Sequence, residues 1–322
     1  MCSERFEDPL LLRLSIIIVN WNTGDLLREC VASIRSAHLP ESVALGSIVV
    51  VDNASHDYST NGLDAFGLPI ILLRNERNMG FAAACNQGVR AAVSSDCVLF
   101  LNPDTRLFED SLRTPLQYLL APENSDVGIV GIQLLDESGR VARSCARFPS
   151  LRQHAAMTFG IDRLFPSLAQ NMRDWPHDHT REVDHVMGAF LLTRGPLFQA
   201  LDGFDERFFV YLEDVDFSLR AHRSGWRSVY LSTAQAYHMG GGSSRKAKGR
   251  RLFYSLRSRL QFGDKHFGVL ARVGLWALVL VFEPIPRFAQ LLATGRFAEL
   301  RDVLEGYRLL FSNLPFRRGI ER

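Results

Sequence analysis

Ile48-Val49-Val50-Val51-Asp52-Asn53-Ala54-Ser55-His56-Asp57 is the stretch whose reading decides the fold. Four β-branched apolar residues in a row suit a strand buried on both faces, the habit of parallel sheets. The abrupt change to Asp52 and Asn53 ends that strand in side chains that hold hydrogen bonds. The same grammar recurs at Val98-Leu99-Phe100-Leu101, which runs into Asn102-Pro103-Asp104. A third polar cluster, Glu213-Asp214-Val215-Asp216, follows the apolar and aromatic residues 208–212. In open α/β sheets, ligands bind outside the carboxyl ends of the strands. These stretches therefore point to a site as well as to a fold.

Outward from residues 48–51, strand and helix signals alternate. Residues 14–19 form an apolar run, and residues 25–37 carry Leu26, Leu27, Cys30, Val31 and Ile34 at helical spacing. Residues 70–73 read as a third strand, 81–93 as a helix and 98–101 as a fourth strand. The expected class is α/β, a mostly parallel central sheet flanked by helices. Residues 127–135 and 141–147 flank Asp136-Glu137-Ser138-Gly139, which predicts a hairpin. Residues 151–184 have weak periodicity and yield no element. Residues 186–193 suit a strand, Gly195-Pro196 opens a short helix, and 213–224 form a helix closed by Gly225. Short strands are expected at 228–231 and 234–237, and helices from Lys248 onward. The division is an N-terminal extension (1–13), an α/β domain (14–244) and a basic helical C-terminal tail (245–322). The α/β domain itself divides into a first half (14–105) and a second half (106–244).

Composition narrows the function. A chain of 322 residues with 47% hydrophobic content can bury a full core. A net charge of +2 argues against a general polyanion binder, so no nucleic-acid partner is expected. Five cysteines, odd in number and without a CxxC pair, argue against a disulfide framework or structural zinc and for a reducing cytosol. The first thirteen residues contain only the Leu10-Leu11-Leu12 run, too short for a signal peptide core. No uninterrupted apolar run approaches the ~20 residues that span a bilayer. A cytoplasmic protein is expected.

The polar clusters then suggest roles. Asn20 and Asn22, either side of Trp21, could bond a base or ribose. Asp52 is placed to accept the imide N–H of a uracil or thymine ring, with Asn53 offering both a donor and an acceptor. Asp57 suits a helix N-cap. Asn78 and Gly80 open the helix at 81, where small residues let a ligand approach the backbone. Asn86 shares a helix face with Ala82. No GxGxxG follows the first strand, so a dinucleotide fold is poorly supported. Asp104, straight after a buried strand, suits a hard divalent cation, Mg²⁺ or Mn²⁺, held across two phosphates with Asn102 beside it. Glu213 and Asp214 sit in the first turn of a helix, where burial can lift a carboxyl group toward use as a base. Asp216 and Arg220 are four apart and positioned to pair. His238 precedes a glycine-rich loop and suits metal or diphosphate contact. Arg245, Lys246, Lys248, Arg250, Arg251, Arg257 and Arg259 form an acid-free basic stretch. Residues 273–282 are apolar and stopped by Pro284 and Pro286, which suits an interfacial or core helix rather than a spanning one.

Together these stretches resemble glycosyltransferase family 2, of the GT-A nucleotide-diphospho-sugar transferase fold, and within it the bacterial rhamnosyltransferase-like members. Residues 16–22, 51–57, 78–82, 101–104, Gly188-Ala189-Phe190, 213–217 and His238 carry the likeness, in order. The resemblance implies a nucleotide-diphosphate sugar donor with a dTDP or UDP base, a divalent cation and inversion at the anomeric carbon. It assigns Asp52 to the base, Asp104 to the metal and Asp214 to general-base work on an acceptor hydroxyl. It further implies a glycan or lipid-linked glycan acceptor of the cell envelope and contact with the inner membrane. Gly188, Ala189, Arg245 and Lys246 are expected at the acceptor or diphosphate. Asn102 stands where many relatives carry Asp. A sugar-phosphate nucleotidyltransferase is the rival enzyme, but it requires a Gly-rich basic loop after strand one, which residues 20–25 lack. A non-catalytic nucleotide-sugar binder is the other rival, and Asp104, Asp214 and His238 together argue against it. An oligomer remains open.

Overall fold

The computed structural model describes residues 11–240 and 248–313. The first half alternates as expected: β1 (Leu12–Asn20), α1 (Leu26–Ser36), β2 (Val43–Asp52), β3 (Ile70–Arg74), α2 (Phe81–Ala91) and β4 (Cys97–Leu101). The second half holds β5 (Thr105–Leu107), α3 (Arg113–Leu120), β6 (Val127–Leu135), β7 (Cys145–Ala146), α4 (Leu151–Thr158), α5 (Ile161–Leu164), β8 (Arg181–Val183) and β9 (His185–Val186). It continues through β10 (Phe190–Arg194), α6 (Gly195–Ala200), α7 (Glu213–Arg223) and β11 (Arg227–His238). The helices α8 (Lys248–His266), α9 (Val269–Ala277), α10 (Pro284–Ala293) and α11 (Phe297–Ser312) follow.

The strand order is β3-β2-β1-β4-β10-β6-β11-β5, with β8 paired to β11. β1, β2, β3 and β4 are mutually parallel, as are β6 and β11. β10 runs antiparallel between β4 and β6, so the sheet is mixed. The two longest registers, β1 with β2 and β6 with β11, are parallel. Alternation along β1 feeds two cores. Ile16 and Ile18 face α1 and α3, packing with Leu27, Val31, Leu116 and Leu119. Ile17 and Val19 face α2, α6 and α7, packing with Ala84, Phe198 and Phe217.

Several expectations are refined. The Asp136–Gly139 turn does reverse the chain, but only Leu135 bridges Val141 before the chain leaves for a separate two-stranded pairing of β7 with β9. The two short strands expected at 228–237 are one strand, slipped in register between Leu231 and Gln235. The unreadable residues 151–184 hold α4, set by a capping box between Ser150 and Gln153. Pro284 and Pro286 do not stop the apolar helix. Residues Val269–Ala293 form one 25-residue helix, long and apolar enough by length and composition to cross a membrane. It passes the prolines through a π turn, Leu278–Phe282, in which the Glu283 N–H donates to the Leu278 carbonyl at 2.8 Å. The wider turn re-pairs backbone near residues that lack an N–H.

The C-terminal helices close around Phe253, Leu256, Leu260, Leu275, Val279 and Leu310. They are locked to the catalytic sheet through Asp216, whose side chain is fully buried. Its carboxylate meets Arg220 at 2.8 Å, as the sequence spacing predicts, and also Lys265 and His266 of α8, each at 2.7 Å. Burial alone would raise this carboxyl pKa, but the three partners hold it below the usual carboxylate range. Replacing Asp216 with Ala leaves two cationic side chains, Arg220 and Lys265, and the His266 ring facing a void. We expect Asp216→Ala to lower unfolding free energy by roughly 3–5 kcal/mol, the cost of breaking a buried pair, read by urea denaturation. A loss under about 1 kcal/mol, the scale of an exposed pair, would show that α8 docks by apolar contact alone.

Candidate active site

Asn20 and Asp52 are register partners at the carboxyl ends of β1 and β2. The Asn20 side chain is fully buried. Its Nδ2 donates to Asp52 Oδ1 at 3.0 Å, Ser55 Oγ at 3.1 Å and Ser59 Oγ at 2.8 Å, and its Oδ1 accepts from Thr23. In the structure Asn20, expected at the base or ribose, fixes the Asp52 carboxylate. Asn53 is likewise bonded to neighbouring loops. Its Nδ2 donates to Asn78 Oδ1 and the Gly80 carbonyl, while its Oδ1 accepts from Asn75 Nδ2 and the Met79 N–H. Asn22 accepts from the His56 N–H at 2.8 Å and so shapes the loop after β2. Asp57 caps no helix. It accepts from the Gly24 N–H and from Ser59, joining the loops after β1 and β2.

The small-residue platform is occupied by protein. Asn78 Oδ1 accepts from the Gly80 N–H at 2.9 Å. Gly80 has φ +90°, and a Cβ there would lie 2.6 Å from the Phe209 carbonyl oxygen. That carbonyl accepts the Phe81 N–H, so the close approach serves the loop before α7 rather than a ligand. Asn86 is buried and spends its amide on the Phe204 backbone and on Glu206. It pins the same loop from its other end.

The carboxylates gather differently. β5 pairs with β11 so that Thr105 faces His238. This places His238 Nε2 3.3 Å from Asp104 Oδ1 and 3.4 Å from Asn102 Nδ2. Residues 134 positions apart thus converge on one point beyond β4. Among the described residues no third His, Cys, Asp or Glu completes a cluster. One carboxylate and one imidazole, both partly exposed, fit a divalent cation that draws its remaining ligands from phosphate oxygens and water.

Asp214 lies in the first turn of α7, after Tyr211 (φ +70°) and Leu212 (φ +68°). Two consecutive non-glycine residues in the left-handed region are strained, a signature common at functional sites. Asp214 Oδ1 accepts the Val215 N–H at 2.8 Å and Oδ2 accepts the Gly188 N–H at 3.0 Å. His185 Nε2 stands 3.1 Å from Oδ2. Burial pushes the Asp214 carboxyl up, yet His185 and the two N–H donors overturn it and hold the group below its ordinary value. Glu213 takes the opposite course. It is buried, its Oε2 meets no partner among the described residues, and burial with the Asp214 charge drives its pKa well up. The desolvation lift expected for the pair therefore falls on Glu213 and not on Asp214.

Gly188 and Ala189 join the two ends of the site. The Gly188 N–H holds Asp214, and the Ala189 carbonyl accepts the Asn102 N–H at 3.0 Å. Both residues are buried, which turns an expected diphosphate or acceptor contact into a scaffold. Arg245 and Lys246 lie outside the described residues. His185 was missed by sequence reading because it is a single histidine at the edge of a two-residue strand, just before the apolar run that was read as starting at 186.

A mixed sheet with carboxylates and a histidine converging beyond its strand ends is the GT-A glycosyltransferase fold, and the chain superposes on solved members of it. A mannosyltransferase from Pyrobaculum calidifontis, solved with GDP-Man and Mn²⁺, matches with TM-score 0.57 and 18% identity over 94% of this chain and 88% of that one. Staphylococcus aureus TarS (residues 1–349) matches with TM-score 0.52 and 16% identity over 96% and 92%. Residues 15–165 match the model for glycosyl transferase family 2. An N-acetylglucosaminyl-diphospho-decaprenol L-rhamnosyltransferase of Mycobacterium tuberculosis is 28% identical over 79% of this chain and 85% of its own. The rhamnosyltransferase WbbL of Escherichia coli is 26% identical over 65% and 74%. The chain is a glycosyltransferase that resembles family 2 over residues 15–165 and is similar to rhamnosyltransferases.

The Glu213 environment gives a pH prediction. A carboxyl group whose folded pKa is raised keeps its proton while the unfolded chain loses it, so stability is full below the unfolded value of about 4.3 and falls as pH rises through the folded value. Glu213→Gln keeps the shape without the charge. Its melting temperature should match wild type near pH 4 and exceed it increasingly toward pH 9, in a thermal unfolding series. A gap constant with pH would mean that Glu213 is solvated in the native state.

Proposed function

We propose that the enzyme transfers a rhamnose-type sugar from a dTDP- or UDP-linked donor to a hydroxyl of a lipid-linked envelope glycan, with inversion, at the cytoplasmic face of the inner membrane. The observation that carries this reading is the short backbone path from Asp214 through Gly188 and Ala189 to Asn102 and Asp104. It fixes a base candidate relative to a metal candidate, which a single displacement requires. The names of the mycobacterial and E. coli relatives supply the sugar class, and the former supplies the diphospho-decaprenol type of acceptor.

In this reading Asp52, held by Asn20, accepts the imide N–H of the base. Asp104 and His238 hold Mg²⁺ or Mn²⁺, which when bound neutralises charge on the leaving diphosphate. Mn²⁺ in the solved mannosyltransferase complex is consistent with that ion class. The acceptor oxygen forms its bond to the anomeric carbon as the carbon–oxygen bond to diphosphate breaks, and its proton passes to Asp214. The lowered pKa keeps Asp214 ionised and ready at neutral pH. His185 keeps that charge in place, and protonated Glu213 avoids a second buried negative charge.

A positioned general base contributes ~10²–10⁴-fold. Asp214→Asn should lose turnover on that scale while calorimetric affinity for the nucleotide stays near wild type. Wild-type turnover in this variant would remove Asp214 from the role and point to Glu213 or water. The ion site has its own test, a titration of dTDP, UDP and GDP with and without Mn²⁺. For wild type the ion should strengthen binding of one nucleotide, and Asp104→Ala should abolish that gain while leaving metal-free binding intact. An unchanged Mn²⁺ gain in Asp104→Ala would place the ion elsewhere.

A further inference from the structure

Of the 22 exposed large hydrophobic side chains among the described residues, 13 fall in two segments, residues 157–165 and residues 269–297. We infer that these segments form one continuous surface that lies in the outer layer of an anionic bilayer, with the Val269–Ala293 helix in the membrane plane rather than across it. This rests on the reading of a lipid-linked acceptor and assigns the part of the molecule that meets the lipid.

Continuity comes from packing. The Phe159 ring, at the end of α4, meets Phe282 of the long helix edge-on with centroids 6.3 Å apart. Leu151 of α4 packs against Gly274, where a Cβ would lie 2.8 Å from its Cδ2. On the helix, Val269, Val273, Val281 and Ile285 recur at intervals of four and eight residues and are each more than half exposed. Beside them α4 and α5 present Met157, Phe159, Leu164 and Phe165, with Leu164 78% exposed. An apolar stripe this long has no protein partner among the described residues.

Charge selects the occupant. Residues 265–298 contain one acid, Glu283, and residues 148–173 contain one, Asp162. Both are buried and paired, Glu283 with Arg259 at 2.8 Å and Asp162 with Arg173 at 3.0 Å. What the surface shows solvent is therefore apolar side chains interleaved with exposed Arg152, Arg163, Arg272 and Arg296. Apolar residues with arginines and no free acid match an anionic lipid surface.

The same buried pair sets the orientation. Glu283 sits at the middle of the 25-residue helix, and its partner Arg259 belongs to α8, a helix that also carries Lys248, Arg250, Arg251, Arg257 and Lys265. Crossing the bilayer would either carry α8 into hydrocarbon or strip Glu283 of Arg259 and place its remaining charged pair with Arg287 there, and both are costly. Lying flat keeps the pair buried against the domain and offers only the stripe to lipid. The chain enters α4 five residues after β7, whose partner strand β9 holds His185 beside Asp214. Docking through α4 and α5 thereby sets the acceptor side of the site against the headgroups.

The test is flotation of the full chain with extruded vesicles, without substrate. Vesicles of phosphatidylglycerol and phosphatidylethanolamine should carry the protein at low salt, and phosphatidylcholine vesicles or high salt should carry much less. The paired substitutions Leu164→Glu with Phe165→Glu, and Val273→Glu with Val281→Glu, should each weaken binding by about tenfold or more, the scale of withdrawing two large apolar side chains from lipid. Melting temperature and nucleotide binding serve as folding controls. Should the helix variant fail to fold, the Leu164/Phe165 variant alone decides, because those side chains stand in solvent. Wild-type vesicle binding by that variant overturns the joint surface. Resistance of the bound protein to alkaline carbonate extraction overturns the in-plane orientation. A dimer in light scattering with no vesicle binding shows that a second copy covers the stripe, and also overturns the proposal. Vesicle binding by a protein that binds no nucleotide would instead sink the transferase reading and leave this surface standing.

Discussion

The backbone of Gly188 and Ala189 is the constraint on which the rest of the site depends. One N–H from this turn holds the Asp214 carboxylate, and the next carbonyl holds the Asn102 N–H that leads to Asp104. Side chains could not do this job as well. Peptide groups have no rotamers, so the spacing between the two acidic centres inherits the stiffness of β10 and β4, which pair directly behind them. Gly188 is required by space as well, since a Cβ would lie 3.2 Å from Asp214 Oδ2. A transfer reaction needs its acid–base group and its charge-neutralising group fixed to a fraction of an ångström. Here that precision is built from main chain.

Charge is distributed with the same economy. Four carboxyl groups lie buried around α7 and the strand ends, and each is settled differently. Asp216 is surrounded by two cations and a histidine and works as a lock between subregions. Asp214 is stabilised in its charged form by His185 and two N–H groups. Glu213, one residue away with no cation paired to it among the described residues, is pushed toward its neutral form by burial and the Asp214 charge. Asp52 is oriented by a buried amide. Identical chemistry thus gives a strut, an ionised group, a protonated group and a recognition element, and the neighbours decide which.

The first half of the α/β domain was legible because its strands are buried on both faces and its helices follow at once. Residues 14–19, 48–51 and 98–101 show no alternation, and that is the mark of a parallel sheet. The second half was less legible for a physical reason. β7, β8 and β9 are two or three residues long, too short for any period to register. α4 announces itself only by its capping box, in a segment otherwise rich in aromatics and prolines. His185 belongs to that half, so the partner of Asp214 could not be found from local pattern. The C-terminal helix was read too short because proline was taken as a stop, whereas a π turn carries the backbone past it.

The amide residues teach a separate lesson about strand ends. Asn20, Asn53 and Asn86 were read as ligand contacts because amides at such positions can both donate and accept. In the fold each is buried and its polar atoms are met by protein. The loops after β1, β2 and β3 explain why. They carry no regular hydrogen bonding of their own, and a buried loop must satisfy its backbone groups somehow. An amide with donors and an acceptor is the side chain that closes such an account across two or three loops at once. Carboxylates only accept when ionised, so they serve where a loop offers donors, as Asp57 does for Gly24 and Ser59. Amides donate and accept at once, and so each of these three asparagines reaches across more than one partner.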